Sequence, residues 1–231
     1  MRFNRLENLV SKNGIELLKN KTMMVFGLGG VGSFAAEALV RSGIGQLIVV
    51  DYDSVDITNI NRQLIALDST IGHKKTDVFL KRAKDINPNI NITSITEKVS
   101  QENVNSMLEI RPDFVLDCID DVFAKVELAK ACYHMNIPIM LAMGFANKFH
   151  PEMIKISTLK KTSVCPLAKV MRRKIRDIGL PLDIPVVYSE EKPASVIDNQ
   201  ILGSTAFCPS TAGLMMASYA INYMIERENE K

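Results

Sequence analysis

Between the apolar run at 22–26 and a helix-forming stretch that starts at Ser33, the chain reads Gly27-Leu28-Gly29-Gly30-Val31-Gly32. A GxGxxG turn in that setting permits a tight bend. It lets backbone N–H groups approach a phosphate and aims a helix N-terminus at the negative charge. Gly27, Gly29, Gly30 and Gly32 are therefore candidate nucleotide-binding residues. Asp51 closes the next apolar run, nineteen residues beyond Gly32, where a carboxylate can accept hydrogen bonds from ribose hydroxyls. These features alone do not choose between NAD and ATP. The phosphate loop GxxxxGK[ST] is absent from the sequence. If the ligand is ATP, residues from elsewhere must hold its phosphates.

Such residues follow. Asp51-Tyr52-Asp53 leads to Thr58-Asn59-Ile60-Asn61-Arg62-Gln63, then to Ile71-Gly72-His73-Lys74-Lys75, and later to Asp117-Cys118-Ile119-Asp120-Asp121. Ligands of open α/β sheets bind off the carboxyl ends of the strands, so one edge is expected to gather Asn59, Arg62, Lys75 and several carboxylates. Arginine and lysine can neutralise a triphosphate, and a carboxylate can hold Mg²⁺. NAD carries a diphosphate and needs neither an Arg-Lys pair nor a metal. Blander roles compete at some positions. Asp53 can cap a turn, Lys74 suits a solvated helix face, and Asp117 or Asp121 can serve as N-cap of a helix at 122.

The elements that must position these residues read as alternating strands and helices. An amphipathic helix covers 6–20, with Leu6, Leu9, Val10, Leu17 and Leu18 on a helical period. Strands are expected at 22–26, 46–50, 90–95, 114–116 and 137–142, and helices at 33–42, 71–86 and 122–135. This alternation predicts an α/β fold: a Rossmann-like, largely parallel sheet flanked by helices. After about residue 145 the pattern breaks into a C-terminal excursion over 148–200, and a closing helix is expected at 211–226.

Composition agrees with a globular chain: 231 residues, 47% hydrophobic, 23% charged, and a formal net charge of +2 that demands no nucleic-acid partner. The four cysteines, Cys118, Cys132, Cys165 and Cys208, form no CxxC pair. Their scatter suits a reducing cytoplasm better than a zinc ribbon or a disulfide framework. The first residues lack the apolar segment of a signal peptide. The apolar stretch 212–225 is short for a bilayer span and carries Ser218 and Asn222, so it reads as a buried core helix.

In order and spacing, GLGGVG, the DxD at 51–53, TNINRQ, GHKK and LDCIDD resemble the adenylation domain of the ThiF/MoeB and ubiquitin-activating-enzyme-like superfamily. The resemblance covers roughly 1–145. It implies that Gly30 approaches the phosphates and Asp51 binds ribose, that Asn59, Arg62 and Lys75 contact the phosphates, and that Asp120 holds Mg²⁺. Arg5, in RFNR, is similar to the family's arginine finger, which reaches the γ-phosphate of a second subunit and implies a homodimer.

Further segments resemble one branch, the tRNA threonylcarbamoyladenosine dehydratases of the TcdA/CsdL type. They are EALVRSGIGQLIVVDYD, INPN, PLAKVMRRKIR, VVYSEE and GSTAFCPSTAGLMMASYAI. This likeness runs from about residue 3 to 226. It implies a single ThiF/MoeB-type domain over 1–231, with a nucleotide-binding core at 1–145 and a crossover, a tRNA-facing segment and the closing helix at 146–231. It also implies a reaction. ATP adenylates the threonyl carboxylate on tRNA, pyrophosphate leaves, and the neighbouring carbamoyl group then displaces AMP to close a ring. An alternative in the same superfamily activates the C-terminus of a ubiquitin-like sulfur carrier. The missing CxxC pairs disfavour it. A sulfur-relay partner protein is left open, and no obligate membrane partner is expected.

From Lys160 to Arg176 there are seven Lys or Arg and no acid. On a helix, Lys169, Arg172, Arg173 and Arg176 share a face that can follow a phosphate backbone, against the simpler role of a solvated helix face. Cys165 lies in the excursion, where ubiquitin-type enzymes place a catalytic cysteine. No histidine falls within nine residues to activate it, and it reads as a passive thiol.

Overall fold

The structure, a computed structural model, describes residues 2–195 and 202–229. Residues 196–201 of the expected excursion, and residues 1 and 230–231, lie outside the described residues. The elements in chain order are α1 (Asn4–Lys19), β1 (Thr22–Phe26), α2 (Gly32–Arg41), β2 (Gln46–Val50), α3 (Lys75–Ile86), β3 (Asn91–Ile95), α4 (Val104–Met107), β4 (Phe114–Asp117), α5 (Val122–His134), β5 (Ile139–Ala142), β6 (Ile154–Thr158), α6 (Pro166–Asp177), β7 (Pro185–Ser189) and α7 (Phe207–Asn229).

Seven strands form one sheet in the order β3-β2-β1-β4-β5-β7-β6. All neighbours are parallel except β6, which runs antiparallel to β7 at the edge. The central strands are almost wholly apolar because both faces of a parallel sheet are covered. Within β1 the alternation of side chains sends Met23 and Val25 to one core and Met24 and Phe26 to the other. The first core is closed by α2, α3 and α7, the second by α4, α5 and α6.

The order of strands reverses between β1 and β4, which leave the middle of the sheet in opposite directions. A crevice opens there at the carboxyl ends of the strands. Its walls are the turns after β1, β2, β4 and β5.

Three expectations are corrected. The excursion after residue 145 contributes two strands to the main sheet: β7 docks beside β5 with Leu141 opposite Val186, and β6 pairs along β7. Helix α3 begins at Lys75, four residues later than expected, because Ser54 and Lys74 form a β-bridge that holds the preceding segment extended. Helix α1 is broken at Ser11, whose backbone is non-helical at φ 67. Only its second half enters the core, through Gly14, Ile15 and Leu18, while Leu9 stays 85% exposed.

Candidate functional site

A cavity of about 890 Å³ occupies the crevice. Of the residues singled out in the sequence, Gly27, Gly29, Gly30, Asp51, Asp53, Asn59, Arg62, Lys75 and Asp120 line it. Gly32 does not. It opens α2 beneath the loop, where an added Cβ would lie 1.7 Å from the Gly27 carbonyl oxygen. Glycine is needed there for close packing of helix on turn. Gly27 itself has φ +88, a backbone that L side chains resist.

Asp51 is buried and ties the glycine turn to β2. Its Oδ2 accepts from the Leu28 N–H at 2.6 Å and its Oδ1 from the Asp53 N–H at 2.8 Å. Burial pushes its carboxyl above the ordinary range, partly opposed by the nearby Lys75 charge and by these two N–H groups. Each oxygen keeps a lone pair for a ribose hydroxyl.

Lys75 is buried at the first turn of α3, with its ammonium 2.8 Å from Asp53 Oδ2. Asp53 thus does more than cap a turn. It holds the lysine in line with the cavity and balances its charge. Lys74 is exposed and donates to the Tyr52 carbonyl at 2.9 Å. Asn59 closes a short 3-10 turn, where its side-chain oxygen accepts from the Asp56 N–H at 3.1 Å. Arg62 is half-buried; it donates to the Thr58 carbonyl at 2.7 Å and to Asn61 Oδ1 at 3.0 Å. These two bonds fix the guanidinium's approach and leave donors free for an anion. Gln63, absent from the sequence candidates, is buried against the glycine turn. A Cβ on Gly29 would meet its Nε2 at 3.9 Å.

The turn after β4 is held from below. Asp117 and Lys125 are both fully buried, 2.8 Å apart. Asp117 Oδ1 accepts from the Ile119 N–H at 3.0 Å, and Lys125 Nζ donates to the Ile119 carbonyl at 3.0 Å. One ion pair therefore clamps both polar groups of a single residue. Lys125 escaped the sequence reading because a lysine on a helix ordinarily faces water. Asp121, not Asp117, is the N-cap of α5, accepting from the Ala124 N–H at 3.0 Å. That bond and the neighbouring Lys98 hold its carboxyl below the usual range against slight desolvation. Between these fixed residues Asp120 is exposed, with no hydrogen bond or ion pair to a described residue.

The chemistry of this end suits a single-carboxylate magnesium site. Mg²⁺ usually keeps several waters and takes one or two carboxylates together with substrate phosphates, and Asp120 offers one carboxylate without a described partner in the cavity that Arg62 and Lys75 also line. No group of three or more His, Cys, Asp or Glu side chains among the described residues forms a protein-only metal cage.

The far end of the cavity is built by the segment after β5, the start of α6 and the residues just before α7. Met143 to Lys148, Cys165 to Leu167, Leu202 and Gly203 line it, while Ser204, whose carbonyl accepts from Asn61 at 3.1 Å, and Pro209 of α7, which packs on Gly30, lie toward the glycine turn. Cys165 is buried at the N-cap of α6. Cys118, at the other end, has its thiol pushed far up by burial and by the Asp117 charge, so it is no nucleophile.

Two groups of candidates lie outside the cavity. Arg5 is exposed on the first turn of α1. On α6, Lys169, Arg173 and Arg176 are exposed, while Ala168, Met171 and Ile175 face the core. Arg172 departs from that face in part, because its guanidinium donates to the Thr162 carbonyl at 2.9 Å and to the Thr162 hydroxyl. Among the described residues no helix is long and apolar enough to cross a membrane.

A glycine turn on a parallel sheet, a buried carboxylate that ties it to the next strand, and an arginine and a lysine lining the same cavity define a class: a Rossmann-like nucleotide-binding fold. Comparisons with known proteins narrow it. Residues 3–231 match the model of the ThiF family. The tRNA threonylcarbamoyladenosine dehydratase of Bacillus subtilis is 40% identical over 95% of this chain and 92% of that protein. The crystal structure of the Escherichia coli enzyme of that name, TcdA, in complex with ATP superposes with a TM-score of 0.94. It is 31% identical, over 100% of this chain and 96% of that one. The molybdopterin-synthase adenylyltransferase of Haemophilus influenzae is 35% identical over 61% of this chain and 58% of that protein. The chain belongs to the ThiF family, in the branch of the tRNA threonylcarbamoyladenosine dehydratases.

Proposed function

We propose that this chain is an ATP-dependent dehydratase that closes threonylcarbamoyladenosine in tRNA to a ring. The observation that carries the reading is the continuity of one cavity. A cationic, phosphate-directed end opens into a second, largely uncharged end where an acceptor group can meet the α-phosphate.

In this reading the glycine turn and Asn59, Arg62 and Lys75 hold the triphosphate, and Asp51 holds the ribose. Asp120 holds Mg²⁺, which screens the phosphate charge when bound. An oxygen of the threonyl carboxylate attacks the α-phosphorus, forming a mixed anhydride with AMP as pyrophosphate leaves. The neighbouring carbamoyl group, losing a proton, then attacks the activated carbonyl and expels AMP. The tRNA loses one water, and ATP becomes AMP and pyrophosphate. A carboxylate is a poor electrophile and AMP a good leaving group, while an internal nucleophile held in place has a high effective concentration. No covalent cysteine is required.

Two further parts belong to the proposal. Arg5 lies outside the cavity of its own chain, so its role as an arginine finger is exerted on a second copy, making the active species a homodimer. The exposed cations of α6, Lys169, Arg173 and Arg176, with the rest of Arg172, follow the tRNA backbone. The enzyme works in the cytoplasm.

Incubation with threonylcarbamoyladenosine-bearing tRNA, ATP and Mg²⁺ tests the reading. The expected result is a nucleoside lighter by one water, formed with one AMP per ring. Unchanged nucleoside beside AMP loaded on a sulfur-carrier protein would replace the reading with carrier activation.

A further inference from the structure

The far end of the cavity holds one cation that the roles above leave unused. Lys148 lines the cavity yet is 3% exposed. Its ammonium donates to the Ser189 carbonyl at 3.0 Å, and among the described residues no carboxylate lies within ion-pairing distance of it. Glu191, the nearest acid in its surroundings, is engaged elsewhere. Its carboxylate accepts from the Phe149 N–H at 2.8 and 3.0 Å and from the His150 N–H at 2.9 Å.

A buried ammonium with a single neutral acceptor is costly. Two other buried lysines of this chain, Lys75 and Lys125, each sit 2.8 Å from a carboxylate. Burial lowers the Lys148 ammonium below the ordinary lysine range, with Cys165, Glu191 and Cys208 pulling the other way. The site is nevertheless built to hold it. Asn147 has a left-handed backbone and is tied to Gly203 by bonds of 2.8 and 2.6 Å and to the Ala194 N–H at 2.7 Å. Glu191 fixes the two residues that follow. The lysine's backbone is thereby pinned on both sides, while its charge has no counter-ion among the described residues.

We propose that Lys148 supplies the counter-cation for the carboxylate of the acceptor, and so selects a carboxylate-bearing substrate at the far end of the cavity. The inference rests on the adenylation reading and adds to it the residue that recognises the group to be activated. Because the carboxylate loses its charge when the anhydride forms, the contact belongs to the bound substrate more than to the transition state. Its loss therefore weakens binding more than turnover.

The test uses the whole chain, a non-hydrolysable ATP analogue, tRNA bearing threonylcarbamoyladenosine, and the same tRNA with that carboxylate converted to an amide. The natural chain is expected to bind the carboxylate form about tenfold or more tightly, the scale of a charge-assisted hydrogen bond. Lys148→Met should bring the ratio near one and raise KM for tRNA with kcat little changed. Lys148→Arg should restore part of the preference. Binding of the ATP analogue, unaltered in each variant, reports that the fold is intact. If Lys148→Met fails that check, Lys148→Arg and Lys148→Gln carry the comparison. A preference kept in full by Lys148→Met or Lys148→Gln overturns the proposal while leaving the adenylation reading standing. A natural chain that neither binds nor converts the carboxylate form removes the reading and the inference together.

Discussion

The two ends of the cavity are built on different plans. At the nucleotide end charges are many and mutually balanced: Lys75 faces Asp53, Lys125 faces Asp117, and Asp51 is held by two backbone N–H groups. At the far end a single ammonium, that of Lys148, stands among apolar and small residues. The first plan keeps a site ordered before its ligand arrives, because its buried charges already have partners, while exposed Asp120 and the free donors of Arg62 are left for the ligand. The second leaves one charge to be satisfied by the ligand, which makes that charge a device for selection. Preorganisation and selectivity thus occupy separate halves of one crevice.

Removing the ion pair under the β4 turn should have the largest effect. Lys125→Met leaves the fully buried Asp117 carboxyl, which burial already pushes above the ordinary range, without its counter-charge, and breaking a buried pair from one side costs about 3–5 kcal/mol. Thermal or denaturant unfolding should show that loss, and Asp117→Asn combined with Lys125→Met should recover much of it. A double variant whose loss equals the sum of the two single losses would mean that the pair does not act as a unit.

Next come the phosphate-directed cations. Arg62→Ala and Lys75→Ala should each lower AMP formation by about 10²–10³, the usual cost of losing a donor aimed at developing charge. Cys165→Ala, at the opposite end, should leave both AMP formation and ring closure nearly unchanged. Should ring closure stop in that variant while the anhydride still forms, the far end supplies a nucleophile and the comparison drawn above fails.

The smallest effect is expected behind the site. Glu37 joins α2 to α3 by bonding Arg41 at 2.8 Å and the Arg82 guanidinium at 3.1 Å through Oε1. Desolvation raises its carboxyl, but the two arginines outweigh this and hold it below the ordinary range. Arg41 is 57% exposed and Arg82 37%, so solvent screens the pair and Glu37→Gln should cost about 1 kcal/mol, roughly 2–4 °C in Tm. Because the folded value is the lower one, the contribution is complete above the ordinary glutamate range and fades as pH falls through the folded value. The gap in Tm between the two proteins should therefore narrow in acid. A gap that widens there would assign the effect to packing.

Sequence and structure agree best where the chemistry is local. The glycine turn, Asp51, Asn59, Arg62, Lys75 and Asp120 fall on one cavity because each follows closely on the end of a strand or opens the next helix, and short-range spacing carries that information. Strands β6 and β7 were not legible. Each has five residues, β6 alternates weakly at an exposed edge, and their places in the sheet follow from the pairing of β7 with β5 and of β6 with β7 rather than from their own pattern. Lys125 and Lys148 escaped for a related reason. A lysine's burial depends on partners that the tertiary fold brings to it, such as Ser189 for Lys148. The break at Ser11 gave no signal either, since the apolar period continues across it and nothing local marks the turn in the backbone.

Helix α7 has its most extensive packing on α2, the helix that the glycine turn opens. The approach is so close at Gly213 that an added Cβ would lie 2.2 Å from the Val31 carbonyl oxygen. The wall behind the glycine turn is thus synthesised long after the turn itself. On the ribosome the glycine turn emerges about 180 residues before the helix that backs it, a delay of roughly 9–36 s at ~5–20 residues per second. Throughout that interval the apolar side of α2 lacks its cover, which leaves the nascent chain open to aggregation until α7 docks. A stop codon just before α7 would leave Gly27, Asp51, Arg62 and Lys75 encoded but remove the helix on which α2 packs.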